Sequence, residues 1–222
     1  MAEYHILGCS AAMVSMMLEC IHRLHPGGAR VRIVTNADTS DELPLAVDGV
    51  ETEVLPHERW AGRGGPEADT PYLCGVYRPD TKRAVAAFFS ERYGIRPERY
   101  AKLLHPSAQV ASTAGLGNGV DLGPNVVVAP YARIGNLVTL NRAVTIGHHT
   151  ALADFVTVNP GAHVAGRCRI GEGVSIGMGS NVLDGVEIGA RSVIGAGAVV
   201  TGDLPAAVVA VGVPARIVRS VE

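Results

Sequence analysis

The 222 residues hold four cysteines, Cys9, Cys20, Cys74 and Cys168, and no two of them form a CxxC pair. That excludes a dithiol redox motif or a zinc ribbon read from spacing, and unpaired thiols fit a reducing compartment. No His/Cys spacing of the metal-ligating kind appears, so no metal is expected. No apolar run reaches ~18 residues without polar interruption, so no membrane span is expected. Met1 leads through Ala-Glu-Tyr-His into a strand pattern rather than a secretory leader, which predicts a cytoplasmic protein. Charge of one sign is also lacking: 19 Lys and Arg face 21 Asp and Glu, scattered along the chain. That leaves no basic face for nucleic acid.

What the chain has instead is a period. From Leu104 through Leu122, Ile146 and Val164 to Val200, every sixth residue is aliphatic, seventeen times without a break. Six is a multiple of the strand period of two and matches no helical repeat. A hexapeptide repeat marks a parallel β-helix. Two residues before each aliphatic stands a small or β-branched residue, as in Ala132, Val144, Thr150, Cys168 and Ser192. Both positions of such a pair lie on one side of a strand and point inward. Cys168 in that slot reads as a buried structural thiol. The residue after the aliphatic is often Gly or Asn, as in Gly117, Gly135, Asn141, Gly147 and Gly171. These are expected to supply positive φ at sharp corners.

The first hundred residues follow another grammar. Tyr4–Gly8 reads as a buried strand and Ala11–Leu24 as a helix, with Ser10 placed to cap it. Arg30–Thr35 is a second strand, followed by a polar loop over Asn36–Glu42. Thr52–Leu55 reads as a third strand, and 56–71, Gly- and Pro-rich around Trp60, as a loop. Tyr72–Tyr77 is a further strand and Asp80–Tyr93 a helix. Alternating strands and helices predict a small parallel α/β sheet, a Rossmann-like domain over residues 1–100. Ligands of such sheets sit at the carboxyl ends of strands, here Gly8–Ala11, Thr35–Asp38 and Gly75–Arg78. A domain that merely caps the coil and shapes an oligomer is the competing reading.

Several stretches carry a resemblance. They are Leu104-His105-Pro106-Ser107-Ala108, Thr145-Ile146-Gly147-His148-His149, Asn159-Pro160-Gly161-Ala162 and Gly195-Ala196-Gly197-Ala198. The tail adds Gly212-Val213-Pro214-Ala215. Together they resemble the bacterial hexapeptide-repeat sugar acetyltransferases, which include sialic acid O-acetyltransferase and the N-acetyltransferases of UDP-4-amino sugars. The resemblance implies a left-handed β-helix over 101–222, with three hexads per coil and eighteen residues between stacked positions. It also implies a homotrimer that binds acetyl-CoA as co-substrate between neighbouring coils. It implies a role in polysaccharide biosynthesis with a nucleotide sugar as the small-molecule partner. His148 matches the family's catalytic base and Asn141 an active-site asparagine. Thr157, Met178 and Ala196 match positions that contact CoA, and Gly166, eighteen after His148, falls over the base as an oxyanion donor. The nucleotide-binding turns map to Gly8, Ser10, Asn36 and Gly75. Four departures stand out, the first being Thr157 where the family has a CoA-contacting His. His149 occupies the place of an acidic residue, so it is counted with the catalytic group. The usual glycine-rich turn reads Gly8-Cys9-Ser10-Ala11-Ala12, and the acidic pair after the second strand reads Asn36-Ala37-Asp38.

The expected function is therefore acetyl-CoA-dependent N-acetylation of an amino sugar on a nucleotide carrier. O-acetylation of a sialic-acid-type sugar is the alternative within that class. Outside it stand a non-catalytic coil, a metal-bearing one built on His148, His149 and His163, and a regulatory protein whose transferase site has decayed.

Overall fold

The computed structural model describes residues 1–36, 46–66 and 70–221. Its N-terminal domain is a four-stranded parallel sheet in the order β3-β2-β1-β4. The strands are β1 (Ala2–Leu7), β2 (Ala29–Thr35), β3 (Val50–Pro56) and β4 (Tyr72–Cys74). Helix α1 (Ala11–Leu24) covers one face of the sheet with Met13, Val14, Met17, Leu18 and Ile21. Helices α2 (His57–Ala61) and α3 (Pro79–Tyr93) cover the other, where Trp60, Val85 and Phe89 pack on Leu7, Val34 and Tyr72. The expected polar loop, Asp38 included, lies mostly outside the described residues.

Three local readings need correction. The 56–71 stretch is not all loop, because His57–Ala61 is helical and buries His57 and Trp60. The strand expected over Tyr72–Tyr77 ends at Cys74. Ser10 occupies the N-cap of α1 in an extended conformation, but its side chain makes no capping bond; its N–H instead donates to Gly75 O at 2.9 Å.

From Leu103 onward the hexads fold as read. Seventeen two-residue strands, β5 (Leu103–Leu104) to β21 (Val199–Val200), each end on a ladder aliphatic. They stack in parallel into three flat sheets, the faces of a left-handed triangular coil. Residues eighteen apart are register partners throughout, as in Ile146 with Val164. Face one carries Leu104, Leu122, Leu140, Val158, Ile176 and Ile194; face two Val110, Val128, Ile146, Val164, Val182 and Val200; face three Leu116, Ile134, Leu152, Ile170 and Ile188. The ladder side chains and those two before them fill the interior, nearly all below 5% exposed from Leu122 on. Inward polar groups are satisfied across the corners. Thr150 Oγ1 donates to Ala165 O at 2.7 Å, Ser180 Oγ to Gly195 O at 2.8 Å and Cys168 Sγ to Leu183 O at 3.1 Å. Such bonds remove the cost of burying the hydroxyls.

The corner glycines do a different job from the one expected. Positive φ falls three residues after the aliphatic, at Asn125, Tyr131, Ala143, His149 and Arg167 among others. Where the residue directly after it is glycine, close approach of the next coil is the reason. A Cβ on Gly147 would stand 2.4 Å from Ala165 C and 2.5 Å from Gly166 N of the next coil.

The N-terminal domain docks on face one. Leu137 and Phe155, at the corner between faces three and one, join the cluster of Trp60, Tyr72, Phe89 and Tyr100. At the centre of the joint Lys82 is buried, and its Nζ donates to Leu137 O at 2.8 Å, Val156 O at 3.0 Å and Thr139 Oγ1 at 3.3 Å.

Candidate active site

The eighteen-residue register puts His148 and Gly166 in one column, at the corner between faces two and three. Both halves of the sequence expectation meet there. His148 is exposed and points out of the coil. Its ring edge lies against Gly166: a Cβ at that glycine would come within 2.8 Å of His148 Cε1 and 2.9 Å of Nε2. Among the described residues Gly166 N–H donates to no protein acceptor, whereas the N–H groups of Ala165 and Arg167 are bound to Val182 O and His148 O. An imidazole beside an unspent N–H is the pairing that acyl transfer needs: a proton acceptor and an oxyanion donor within reach of one carbonyl.

His149 turns through φ 59° and shares a hydrogen bond with its neighbour, His148 Nδ1 to His149 Nδ1 at 3.2 Å. Its ring stacks on Tyr131 with centroids 4.9 Å apart. Asp184 closes the column from the far side, its Oδ1 being 2.8 Å from the same hypothetical Cβ on Gly166. Tyr131 and Asp184 were missed in the sequence, although the spacing that found Gly166 also finds them: one is eighteen before His149, the other eighteen after Gly166.

The remaining expected residues are placed elsewhere. Asn141 lies at the preceding corner, between faces one and two, where its Oδ1 accepts from Arg142 N at 2.9 Å. Met178 and Ala196 stack at that same corner, both exposed. One chain therefore holds His148 and Gly166 on one edge of face two and Met178 and Ala196 on the other. Thr157 points outward from face one but is buried under the N-terminal domain, donating to Tyr77 O at 2.6 Å. Its hydroxyl is spent on docking.

Gly8 and Gly75 end adjacent strands and are buried. Both are packing glycines: a Cβ on Gly75 would strike Gly8 O at 2.3 Å, and one on Gly8, at φ +77°, would meet Val85 at 3.1 Å. Ser10 and Asn36, partly exposed, stand at the same carboxyl edge. His163, the third histidine of the metal reading, is on face two with Nδ1 2.8 Å from Thr145 Oγ1. Among the described residues no group of three or more His, Cys, Asp or Glu is placed to hold a metal ion. Nor is any described helix long and apolar enough to cross a membrane.

Known proteins share the repeat and the fold. Residues 167–202 match the model of the bacterial transferase hexapeptide family, described as six repeats. No curated protein matches by sequence. Among solved structures, the chain is similar to a histidine variant of perosamine N-acetyltransferase from Caulobacter crescentus in complex with CoA and GDP-perosamine. The identity is 26%, the TM-score 0.78, and the match covers 98% of this chain and 96% of that one. The acetyltransferase domain of PglB from Neisseria gonorrhoeae, solved with acetyl coenzyme A, shares the fold at 24% identity and TM-score 0.79, over 97% of this chain and 98% of that one. WeeI from Acinetobacter baumannii shares it at 19% identity and TM-score 0.82, over 98% and 100%. Six repeats and an end-to-end likeness of fold make the chain similar to the hexapeptide-repeat acetyltransferases, the perosamine enzyme among them.

Proposed function

We propose that the chain moves the acetyl group of acetyl-CoA onto the amine of an amino sugar carried on a nucleotide. The observation that carries this reading is the His148–Gly166 column, within a fold shared end to end with an N-acetyltransferase holding CoA and a nucleotide-linked amino sugar. In the proposed step the amine nitrogen attacks the thioester carbon, and His148 Nε2 takes the proton the nitrogen sheds. Gly166 N–H receives the developing oxyanion. The C–S bond then breaks, CoA leaves as thiolate and the amide is formed, without an acyl-enzyme.

The assembly proposed is a homotrimer with the site between subunits. His148 with Gly166, and Met178 with Ala196, occupy opposite edges of face two, so a neighbour's edge is needed to bring base and CoA arm together. Exposed apolar side chains flank that face: Val127, Tyr131, Met178 and Leu183. Ser10 and Asn36 are the proposed contacts for the nucleotide at the sheet's carboxyl edge, in a cytoplasmic, polysaccharide-building enzyme.

The test is CoA release against a panel of nucleotide-linked 4-amino and 3-amino sugars, sialic acid and free amino acids. A nucleotide-linked amino sugar is expected to turn over fastest. His148→Ala is expected to lower kcat by about 10²–10⁴, the range of a lost general base. Normal turnover by folded H148A, or preference for sialic acid hydroxyls, would refute the assignment.

A further inference from the structure

Outside the His148 corner, the joint between the two domains encloses a cavity of about 330 Å³. Its floor is face one, through Thr157, Ser175 and Val193, and one wall is the chain from Tyr77 to Asp80, which continues from the carboxyl end of β4. That end is where an open α/β sheet receives its ligand. Among the described residues three arginines line the cavity, Arg78, Arg83 and Arg191, against one carboxylate, that of Asp80.

Arg83 is the informative member. It leaves α3 and lies against the coil corner at Gly173, where φ is +65° and a Cβ would stand 2.8 Å from Arg83 Nη2. Its Nε and Nη2 are shut off from solvent, yet neither makes a hydrogen bond. The nearest carboxylates, Asp80 at 3.7 Å and Glu172 at 3.6 Å, are ion partners beyond hydrogen-bond reach. Those two nitrogens face the protein and its carboxylates, and it is the exposed 38% of the Arg83 side chain that is open to a ligand in the cavity. Pro79 and Asp80 of the first turn of α3 line the same space, so the positive end of the helix dipole lies beside it. Fork-shaped donors from three directions, joined by a helix N-terminus, suit an oxyanion with several faces, a phosphate better than a lone carboxylate.

We infer that this cavity holds the phosphate groups of one of the two substrates, clamped by Arg83 and Arg191. The inference rests on the proposed function for the identity of those substrates, a nucleotide-linked sugar and CoA. It adds a site that the Gly8–Ser10 turn does not supply. That turn is sewn to β4 by Ser10 N–H on Gly75 O and packed beneath Val85.

The experiment is titration calorimetry on the full-length protein with inorganic pyrophosphate, UDP, GDP and CoA, for wild type, Arg83→Gln and Arg191→Gln. Wild type is expected to bind pyrophosphate. Both variants are expected to lose at least tenfold in affinity for either the nucleoside diphosphates or CoA, with the other within twofold; the ligand that loses names the source of the phosphate. Arg191 is exposed at a coil corner, so its variant keeps the fold even if R83Q does not. Unchanged affinities in R191Q, equal loss of both ligands, or no pyrophosphate binding by wild type would each overturn the inference. A wild type that fails to release CoA with any acceptor would sink the proposed function, while this binding readout would stand.

Discussion

His148 and His149 meet through like atoms, Nδ1 to Nδ1 at 3.2 Å, with their rings 84° apart. Two such nitrogens share one proton: one ring donates and the other accepts. When His148 donates, its Nε2, the atom beside Gly166, is left bare, as a base requires. On the proposed mechanism His149 would be a positioning residue that fixes the tautomer, its own ring stacked on Tyr131. Asn tolerates the φ of 59° at this position and brings an acceptor oxygen; Ala brings neither advantage. H149N is expected to keep kcat within about threefold of wild type, and H149A to lose about tenfold with little change in KM. Equal CoA-release rates for all three proteins would show the pairing to be idle.

Gly166→Ala tests the column from the other side. Its Cβ would sit within 2.9 Å of His148 Nε2 and 2.8 Å of Asp184 Oδ1. The imidazole must then swing away, so kcat is expected to drop by at least about tenfold. Strain at one corner of about 1 kcal/mol would lower Tm by only about 2–4 °C. A normal kcat in G166A would mean that the base works from another pose.

Lys82 predicts a pH dependence. Burial pulls its ammonium down to about 7, while Cys74 and Asp121 pull it back up. Between about 7 and the ordinary lysine value of 10.5 the unfolded chain binds a proton that the folded one does not. Stability therefore gains from this residue as pH rises through that window, and the contribution is flat below it. Urea unfolding at pH 7 and pH 9 should show the gain in wild type and its absence in Lys82→Met. An identical increment in both proteins would place the titration elsewhere.

Assembly can be tested on the apolar rim of face two. Wild type is expected to elute with a light-scattering mass three times that of the 23.1 kDa chain. The double variant Met178→Glu, Leu183→Asp places charge on two exposed apolar positions and is expected to elute as a single chain without acetyl transfer. A monomer that kept full activity would remove the need for a neighbour's edge.

The coil was legible because its information is periodic. Each ladder residue, and each small partner two before it, answers to the same interior, so Val164 or Cys168 could be placed by counting. The corner glycines were found but misread. Spacing reveals that Gly147 lacks a Cβ, yet not that the next coil's backbone takes the space. In the first domain Trp60 was assigned to a loop because Gly and Pro crowd its neighbourhood, whereas burial against Tyr72 and Phe89 holds it in a helical turn. Thr157 was given to CoA by likeness, and the partner that claims it, Tyr77, lies eighty residues away in the chain. Lys82 and Arg83 left no trace in any local pattern, since their partners belong to coils folded much later in sequence.

The strict eighteen-residue register also says which changes of length the chain can absorb. Eighteen added residues inserted at a corner beyond Asp184 would lengthen the prism by one turn and leave every column below untouched. Six added between His148 and Val164 would still alternate inward and outward correctly, and the coil would close. Every later residue, however, would advance by one corner, carrying Gly166 away from His148. The column would be lost and, for an insertion before Val156, the contacts of Val156 and Thr157 with the first domain would go with it, which makes the position of chemistry on this scaffold a matter of counting modulo three hexads.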